Sequence, residues 1–207
     1  MRRAVLGGLA ATLVFALPAC GGDDDASAGD PAPSPSKSPT KGVDSDDVAG
    51  IITGTPTDVR WRVPAAPSSW KRLKTDPGEA QWQVGGPCVV SLFQPAGLGT
   101  AKEPTQEQVL DEYAKRTGRA LGTTLDVSGR DVSSFPLVTS SEDLSATTKV
   151  SHAKLTGGDG VEGEIYAYRS GDFALVLSTF CGQGAFAAID ASNFQPFIDK
   201  LAIAAEY

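Results

Sequence analysis

The chain has 207 residues, a formal net charge of −7, three cysteines and one histidine. This length allows one domain with additional segments. The negative charge disfavours a nucleic-acid partner, because binding to a phosphate backbone needs a basic face. Three cysteines and one histidine are too few for zinc fingers or iron–sulfur clusters, so we expect no metal and no cofactor.

The first 19 residues are typical of an export signal. Two arginines precede an uncharged apolar stretch, residues 4–19, that is too short to span a bilayer comfortably. The stretch runs into Leu17-Pro18-Ala19-Cys20, which resembles the lipobox of bacterial lipoproteins. The resemblance implies cleavage of residues 1–19 as a signal peptide, acylation of Cys20, and a lipid anchor at the outer face of the cytoplasmic membrane. An ordinary secretory signal with an incidental cysteine, or an uncleaved anchor, remain as alternatives.

Residues 20–50 have the composition of a disordered tether. They contain seven aspartates against two lysines, a proline- and serine-rich run, and only two branched aliphatic residues. Such a segment cannot bury enough apolar surface to offset its own chain entropy. We therefore expect an extended spacer, with an r.m.s. reach on the order of 30 Å, between the lipid and a single globular domain, residues 51–207.

The body begins with strands and one helix. Alternating or continuous apolar residues predict strands at 58–63, 81–84, 88–94, 123–129, 134–139 and 146–156. Pro64 stops the first of them. Thr105 and Gln108 form a capping box for a helix that we expect to end at Gly118.

The clearest supersecondary signal is a hairpin of residues 161–169 and 172–180, with Ser170-Gly171 as its turn. Both of its faces carry apolar residues, so the sheet needs cover on both faces. A terminal helix from Asn193, apolar at positions 194, 197, 198 and 201, should supply one cover. The pattern predicts an α+β fold in which helices flank both faces of an antiparallel sheet.

Cys88 and Cys181 are the only cysteines of the body. Each lies at the end of a predicted strand, and the signal places both outside the cytoplasm, so we predict a disulfide between them. The alternative is a pair of free thiols for redox chemistry. That alternative lacks a Cys-x-x-Cys spacing and a nearby histidine.

The sequence contains no convincing catalytic constellation. His152 is the only imidazole and there is no G-x-S-x-G motif, so we interpret it as a solvent-facing or edge-strand residue. Glu162 and Glu164 share a strand face at a spacing that resembles an inverting glycosidase pair, although a solvated strand end has the same alternation. The S-x-x-K matches at Ser68 and Ser151 lack the partner motifs of penicillin-binding enzymes.

Large aromatic rings are the remaining candidates for a binding site. We expect most tryptophans and tyrosines of the body to lie in the core or at its edge. If Trp70, Tyr166 and Tyr168 instead line a groove between the sheet and the terminal helix, they would suit an apolar or glycan ligand.

The order of these elements resembles the PsbP-like family, which is found in an extrinsic photosystem subunit and in small actinobacterial envelope lipoproteins. The resemblance covers residues 51–207 and rests on the element order and on the opening from Val63-Pro64 to Trp70. It implies an α/β/α sandwich and a binding or scaffold role without a shared catalytic site. No functional residue is carried over, because no motif of the family marks one.

We therefore expect a non-enzymatic lipoprotein that is attached to the membrane by its N-terminal lipid and binds an envelope protein or a hydrophobic ligand. The alternative is a small hydrolase of cell-wall polymers that uses Glu162, Glu164 or His152. A third possibility is a purely structural or spacer protein with no dedicated ligand.

Overall fold

The computed structural model describes residues 54–99, 104–139 and 142–207, and only the backbone of residues 75 and 142–145. The signal, the lipobox with Cys20 and the tether lie outside the described residues, as does the expected start of the body at residue 51. None of the helices in these three ranges is long and apolar enough to cross a membrane.

One nine-stranded sheet forms the scaffold. Its strands are β1 (Asp58–Arg62), β2 (Lys71–Asp76), β3 (Glu79–Gly85), β4 (Cys88–Phe93), β5 (Leu125–Thr139), β6 (Glu142–Gly157), β7 (Val161–Ser170), β8 (Phe173–Cys181) and β9 (Ala202–Glu206). Their order across the sheet is β1-β9-β5-β6-β7-β8-β4-β3-β2. Neighbouring strands are antiparallel except β5 and β9, which run parallel. The sequence did not predict β2 or β9, and it divided β5 into two strands.

Strands β7 and β8 form the predicted hairpin with a turn one residue later than expected. Ser170 pairs with Phe173, so the turn is Gly171-Asp172. Compared with the predicted Ser170-Gly171 turn, each residue of β7 pairs with a residue two positions further along β8. Side chains alternate with a period of two, so the same residues remain together on each face. One face carries Ile165, Ala167, Ala174 and Val176, and the other carries Tyr166, Tyr168, Leu175 and Leu177.

Helix α1 (Gln106–Leu121) begins as the sequence predicts and ends later. The Thr105 side chain accepts from the backbone N–H of Gln108, whose side chain caps Thr105 in return. Gly122, in the left-handed conformation with φ 70°, ends the helix. Gly118 lies inside it, so the predicted end at Gly118 is wrong.

Small side chains let α1 lie close to the sheet. A Cβ atom at Gly118 would lie 2.7 Å from the carbonyl oxygen of Thr123, in the connection to β5. The cluster beneath the helix consists of Val109, Leu110 and Ala114 from α1 and Ala153, Leu155, Ile165, Ala167, Ala174 and Val176 from the sheet. The glycine is therefore required by the close approach of helix and backbone.

The C-terminal part forms a helical segment and then a strand. Helix α2 (Phe186–Ile189), a π-helical turn (Asp190–Phe194) and α3 (Gln195–Ile198) follow one another, and the chain continues into β9. The expected start at Asn193 is wrong, because the segment begins before it. Its apolar positions nevertheless lie in the core: Phe194, Phe197, Ile198 and Leu201.

The edge strand β1 curls over this segment. Val59 and Trp61 of β1 belong to the same apolar cluster as Trp82 of β3 and Phe197 of α3. The backbone N–H of Trp61 donates to Oε1 of Gln94, just beyond β4, at 2.7 Å. The sheet is thus curled, and the C-terminal segment packs on its concave side.

The predicted α+β class, with helices flanking both faces of an antiparallel sheet, is wrong. The sheet is mixed, since β9 enters it parallel to β5, and strands dominate the described part of the chain. Only α1 forms a separate helical layer. The C-terminal segment is enclosed by the curl that β9 and β1 produce, so no flat α/β/α sandwich forms.

Candidate functional site

A charged cluster of titratable side chains surrounds His152 on the aromatic face of the sheet. His152 lies on the central strand β6, opposite Asp131 of β5 on one side and Tyr166 of β7 on the other. The residue is 8% exposed. The interpretation of His152 as a solvent-facing or edge-strand residue is therefore wrong.

Both ring nitrogens of His152 face carboxylates. Nδ1 lies 2.6 Å from Oδ1 of Asp131, a hydrogen bond in which the protonated nitrogen donates. Nε2 lies 3.5 Å from Oε2 of Glu164, close enough for an ion pair but without hydrogen-bond geometry. One imidazole therefore links strands β5, β6 and β7 through charge.

Tyr166 completes the cluster. Its hydroxyl donates to Oε2 of Glu164 at 2.6 Å, and its ring stacks on His152 with the ring centroids 4.3 Å apart. Burial, together with the bond to Glu164, raises the pKa of Tyr166 far above its ordinary value. Tyr166 is consequently a neutral donor that holds the Glu164 carboxylate in place.

The C-terminal segment adds a third carboxyl group, that of Asp190, to those of Asp131 and Glu164. Asp190 accepts from the side-chain amide of Gln195 at 3.2 Å. Burial raises the pKa of Asp190, and the nearby charge of Glu164 raises it further. The cluster thus extends from the sheet into the helical segment that covers it.

The carboxylates decide the protonation of the histidine. Burial by itself would lower the pKa of His152, but the charges of Glu164 and Asp131 outweigh it, and the pKa lies above the ordinary 6.5. Pairing with His152 holds the pKa of Glu164 below the ordinary 4.5, against the effect of burial. The stable state is an imidazolium between two carboxylates.

This arrangement neutralises buried charge and lacks the parts of a nucleophilic site. In a catalytic triad one nitrogen of the histidine bonds a carboxylate and the other takes a proton from a nucleophile. In the described part of the chain, no hydroxyl or thiol bonds to either nitrogen of His152. The site can hold three strands together and respond to pH, but it does not activate a serine or a cysteine.

The other residues considered for catalysis lie apart. Glu162 is exposed at the end of β7, whereas the side chain of Glu164 is only 13% exposed and faces His152. Ser151 and Lys154 are three residues apart on a strand, so their side chains point to opposite faces. Ser68 and Lys71 are exposed, one before and one at the start of β2.

The three rings considered for ligand binding all lie in the aromatic cluster. Trp70 packs on Phe197 with ring centroids 4.9 Å apart, and Tyr166 meets Phe135 at 5.7 Å. Trp70, Tyr166 and Tyr168 are each at most 7% exposed. Their role in binding an apolar ligand stays a prediction.

Two depressions are open on the described surface. One, of about 530 Å³, lies along α1 and is lined by Pro104, Gln108, Asp111, Glu112 and Lys115. The other, of about 170 Å³, lies where β1 meets the β2–β3 hairpin and includes Trp61, Val63 and Ala80. Neither contains Trp70, Tyr166 or Tyr168.

The predicted pair of cysteines forms a disulfide. Cys88 and Cys181 are directly opposite each other in the β4–β8 ladder, with their Cα atoms 4.0 Å apart. Both are fully buried in the aromatic cluster. The bond joins positions 93 residues apart in the chain and links the neighbouring strands β4 and β8.

Sequence reasoning missed the charged cluster as a unit. Asp131, His152, Glu164 and Asp190 come from four elements, and no local spacing connects them. The available signal was one imidazole and two carboxylates, those of Asp131 and Glu164, on three successive strands. That signal becomes visible only when the strand pairing is known.

No protein-family model matches the chain, and no curated protein matches it. Among solved structures, the chain is similar to the solution structure of cyanobacterial PsbP (CyanoP) from Synechocystis sp. PCC 6803. The TM-score is 0.46 and the sequence identity 10%, over 78% of this chain and 98% of that chain. This neighbour bears the name of the family that the element order resembles.

Proposed function

We propose that the protein is a non-enzymatic lipoprotein of the cell envelope, held at the outer face of the cytoplasmic membrane by acylated Cys20, and that its body binds another envelope protein. The observation that carries the proposal is a buried disulfide in a chain whose first 20 residues resemble an export signal with a lipobox. Disulfides persist in oxidising compartments outside the cytoplasm, so both features indicate the same location.

A protein partner fits the described body better than a hydrophobic ligand. Pockets for small ligands are usually about 300–1,000 Å³ and mostly apolar. The depression with apolar lining has about 170 Å³, and the larger one is lined mainly by polar and charged side chains. Two of the rings that would suit a ligand, Trp70 and Tyr166, are packed on Phe197 and Phe135 in the core.

The anchor is tested by the Cys20→Ala variant of the full chain in cells, with metabolic labelling by a fatty acid. The wild-type protein should take up the label and sediment with membranes. The variant should lose the label and be released or remain unprocessed. Equal labelling of wild type and variant would contradict the anchor.

The partner is tested by cross-linking in intact cells followed by mass spectrometry. We expect a reproducible protein adduct on the wild-type chain. Glu164→Gln and His152→Gln serve as controls for the hydrolase alternative. A cell-wall phenotype that appears in both variants while the protein remains folded and cross-linked would support the hydrolase instead.

A further inference from the structure

Basic charge is concentrated where the body follows the tether. Residues 59–75 contain five basic residues and no acidic residue, whereas residues 76–207 contain nine basic and 17 acidic residues. The described chain begins at Gly54, four residues before β1. The basic stretch is therefore the first part of the body after the proposed anchor and spacer.

Three of these five cations are available to a partner. Arg62, Lys71 and Arg72 are exposed, and within the described residues they form no salt bridge. Arg60 and Lys74, by contrast, each pair with two carboxylates. Water solvates these charges in the free protein, and Arg72 also lies over the ring of Trp82 at 5.8 Å. None of the three is neutralised by a carboxylate of the described residues, so each can meet an external anion.

Exposed apolar side chains stand beside these cations. Val63 follows Arg62 and is 40% exposed, and Leu73 follows Arg72 and is 47% exposed. The connection between them, residues 64–69, carries no charge. Cations next to short apolar side chains are typical of surfaces that lie on a membrane, where the cations meet headgroups and the apolar groups enter the interface.

The curl of the sheet brings the two edge strands together. β1 and β2 are the outermost strands in the sheet order. Trp61 and Val63 of β1 nevertheless line one depression together with Asp76, at the end of β2, and Gly78 in the turn that follows. Lys71 and Arg72 lie at the other end of β2, away from this depression, and residues 64–70 join them to Arg62 and Val63. These exposed side chains belong to one stretch of the chain, which we call the basic edge (Arg62, Val63, Lys71, Arg72 and Leu73).

The basic edge is poorly suited to adding a strand from another protein. The β2–β3 ladder shifts register between Arg72 and Lys74, which leaves Leu73 as a bulge on the outer strand. Bulges and lysine or arginine side chains on an edge strand hinder strand addition. A headgroup layer requires no such pairing.

We propose that the basic edge docks the body on the anionic phospholipid surface of the membrane that carries its lipid anchor. The proposal rests on the proposed function in that the anchor brings the body to this surface and raises its effective concentration there. The acidic remainder of the body is repelled by the same surface and turns outward, where it is accessible to a partner.

The test measures docking without the anchor. A chain starting at residue 20 and carrying Cys20→Ala is sedimented with vesicles of 30% phosphatidylglycerol in phosphatidylcholine, and with pure phosphatidylcholine. We expect binding to the anionic vesicles at low salt, with a loss at 0.5 M salt, where screening acts within a few ångströms. Arg62→Glu/Lys71→Glu/Arg72→Glu should weaken the binding at least about tenfold, and the corresponding glutamine variant should weaken it less.

The matched control is Lys115→Glu/Arg119→Glu on α1, whose exposed cations lie outside the basic edge. This variant should bind anionic vesicles nearly as well as the parent. Equal binding to neutral vesicles, equal losses in both charge-reversal variants, or binding to an acidic envelope protein but not to vesicles would overturn the proposal. Because the test protein lacks the anchor, loss of docking and loss of lipid labelling at Cys20 are separate results.

Discussion

The two faces of the sheet are packed by different kinds of side chain. Beneath α1 the sheet contributes small and aliphatic residues, among them Ala153, Ala167 and Ala174. The concave face is aromatic, with all three tryptophans and the rings of Phe194 and Phe197. Small residues admit a regular helix at close range, whereas rings of varied shape hold a segment interrupted by a π-helical turn.

The same contrast explains where the polar groups lie. The cluster of His152, Glu164 and Tyr166 is on the aromatic face, and the imidazole stacks on a phenol ring. Large rings leave polar edges between them, and these edges hydrogen-bond to one another when they are buried. On the helical face of the sheet, within the described residues, the buried polar side chains include only the small hydroxyls of Ser91 and Ser178, while the longer Gln106 donates to Ser151 at the rim.

Loss of the disulfide should have the largest effect, and on the aromatic face. Cys88→Ala/Cys181→Ala removes a link across a loop of about 94 residues, and the chain-entropy account predicts a loss of about 4 kcal/mol in the free energy of unfolding. Urea denaturation of the variant measures it. A reductant should lower the stability of the wild type to a similar level and leave the variant unchanged. If the reductant leaves the stability of the wild type unchanged, the aromatic face does not depend on the bond.

Truncation of one large side chain on each face compares the two packings directly. Phe197→Ala and Leu110→Ala should each cost about 3 kcal/mol, because both remove a buried side chain and leave a cavity. Only Phe197→Ala should shift the tryptophan emission, since Trp70 and Trp82 contact that ring. Tyr207→Ala, at an exposed ring, is the control and should change little. A shift in Leu110→Ala would mean that the two clusters are not independent.

Gly118→Ala tests how closely the helix approaches the backbone. In an exposed helix this change stabilises by about 1 kcal/mol, but here we expect a loss of about 1–2 kcal/mol, since Cβ would meet the Thr123 carbonyl. Ala120→Gly, at an exposed position of the same helix, measures propensity alone and should cost about 1 kcal/mol. Thermal denaturation of both variants shows whether each loses or gains stability. A Gly118→Ala variant more stable than the wild type would refute close packing.

The smallest effect, about 1 kcal/mol, should come from His152→Gln, and it should depend on pH. The raised pKa of His152 means that its contribution is full below pH 6.5 and is lost as pH rises through the folded pKa above that value. The lowered pKa of Glu164 means that its contribution is full above pH 4.5 and is lost as pH falls further. The stability difference between wild type and variant should therefore be largest between pH 4.5 and 6.5. A difference that does not vary between pH 5.5 and 9 would rule out the ion triad.

Local patterns predicted much of the scaffold. Alternation of polar and apolar residues predicts strand β1 and the two faces of the β7–β8 hairpin. The capping box predicts the start of α1 at Thr105. Both patterns act over a few residues. The cysteine pair followed from a count of two in a body that the sequence predicts to be exported. The His152 cluster could not be predicted in this way, because its members are assembled by pairing three strands and adding a helical segment.

The sequence by itself determined the apolar faces of the hairpin, the start of α1 and the pair of cysteines. The export signal, the lipobox and the tether stay predictions. The tertiary structure alone decided the position of β9, whose residues Ala202–Glu206 have a composition that favours a helix. They form a strand because they fill the place between β1 and β5, where backbone hydrogen bonds and burial outweigh local preference. That insertion curls the sheet and encloses the C-terminal segment, and both results require contacts between residues far apart in the chain.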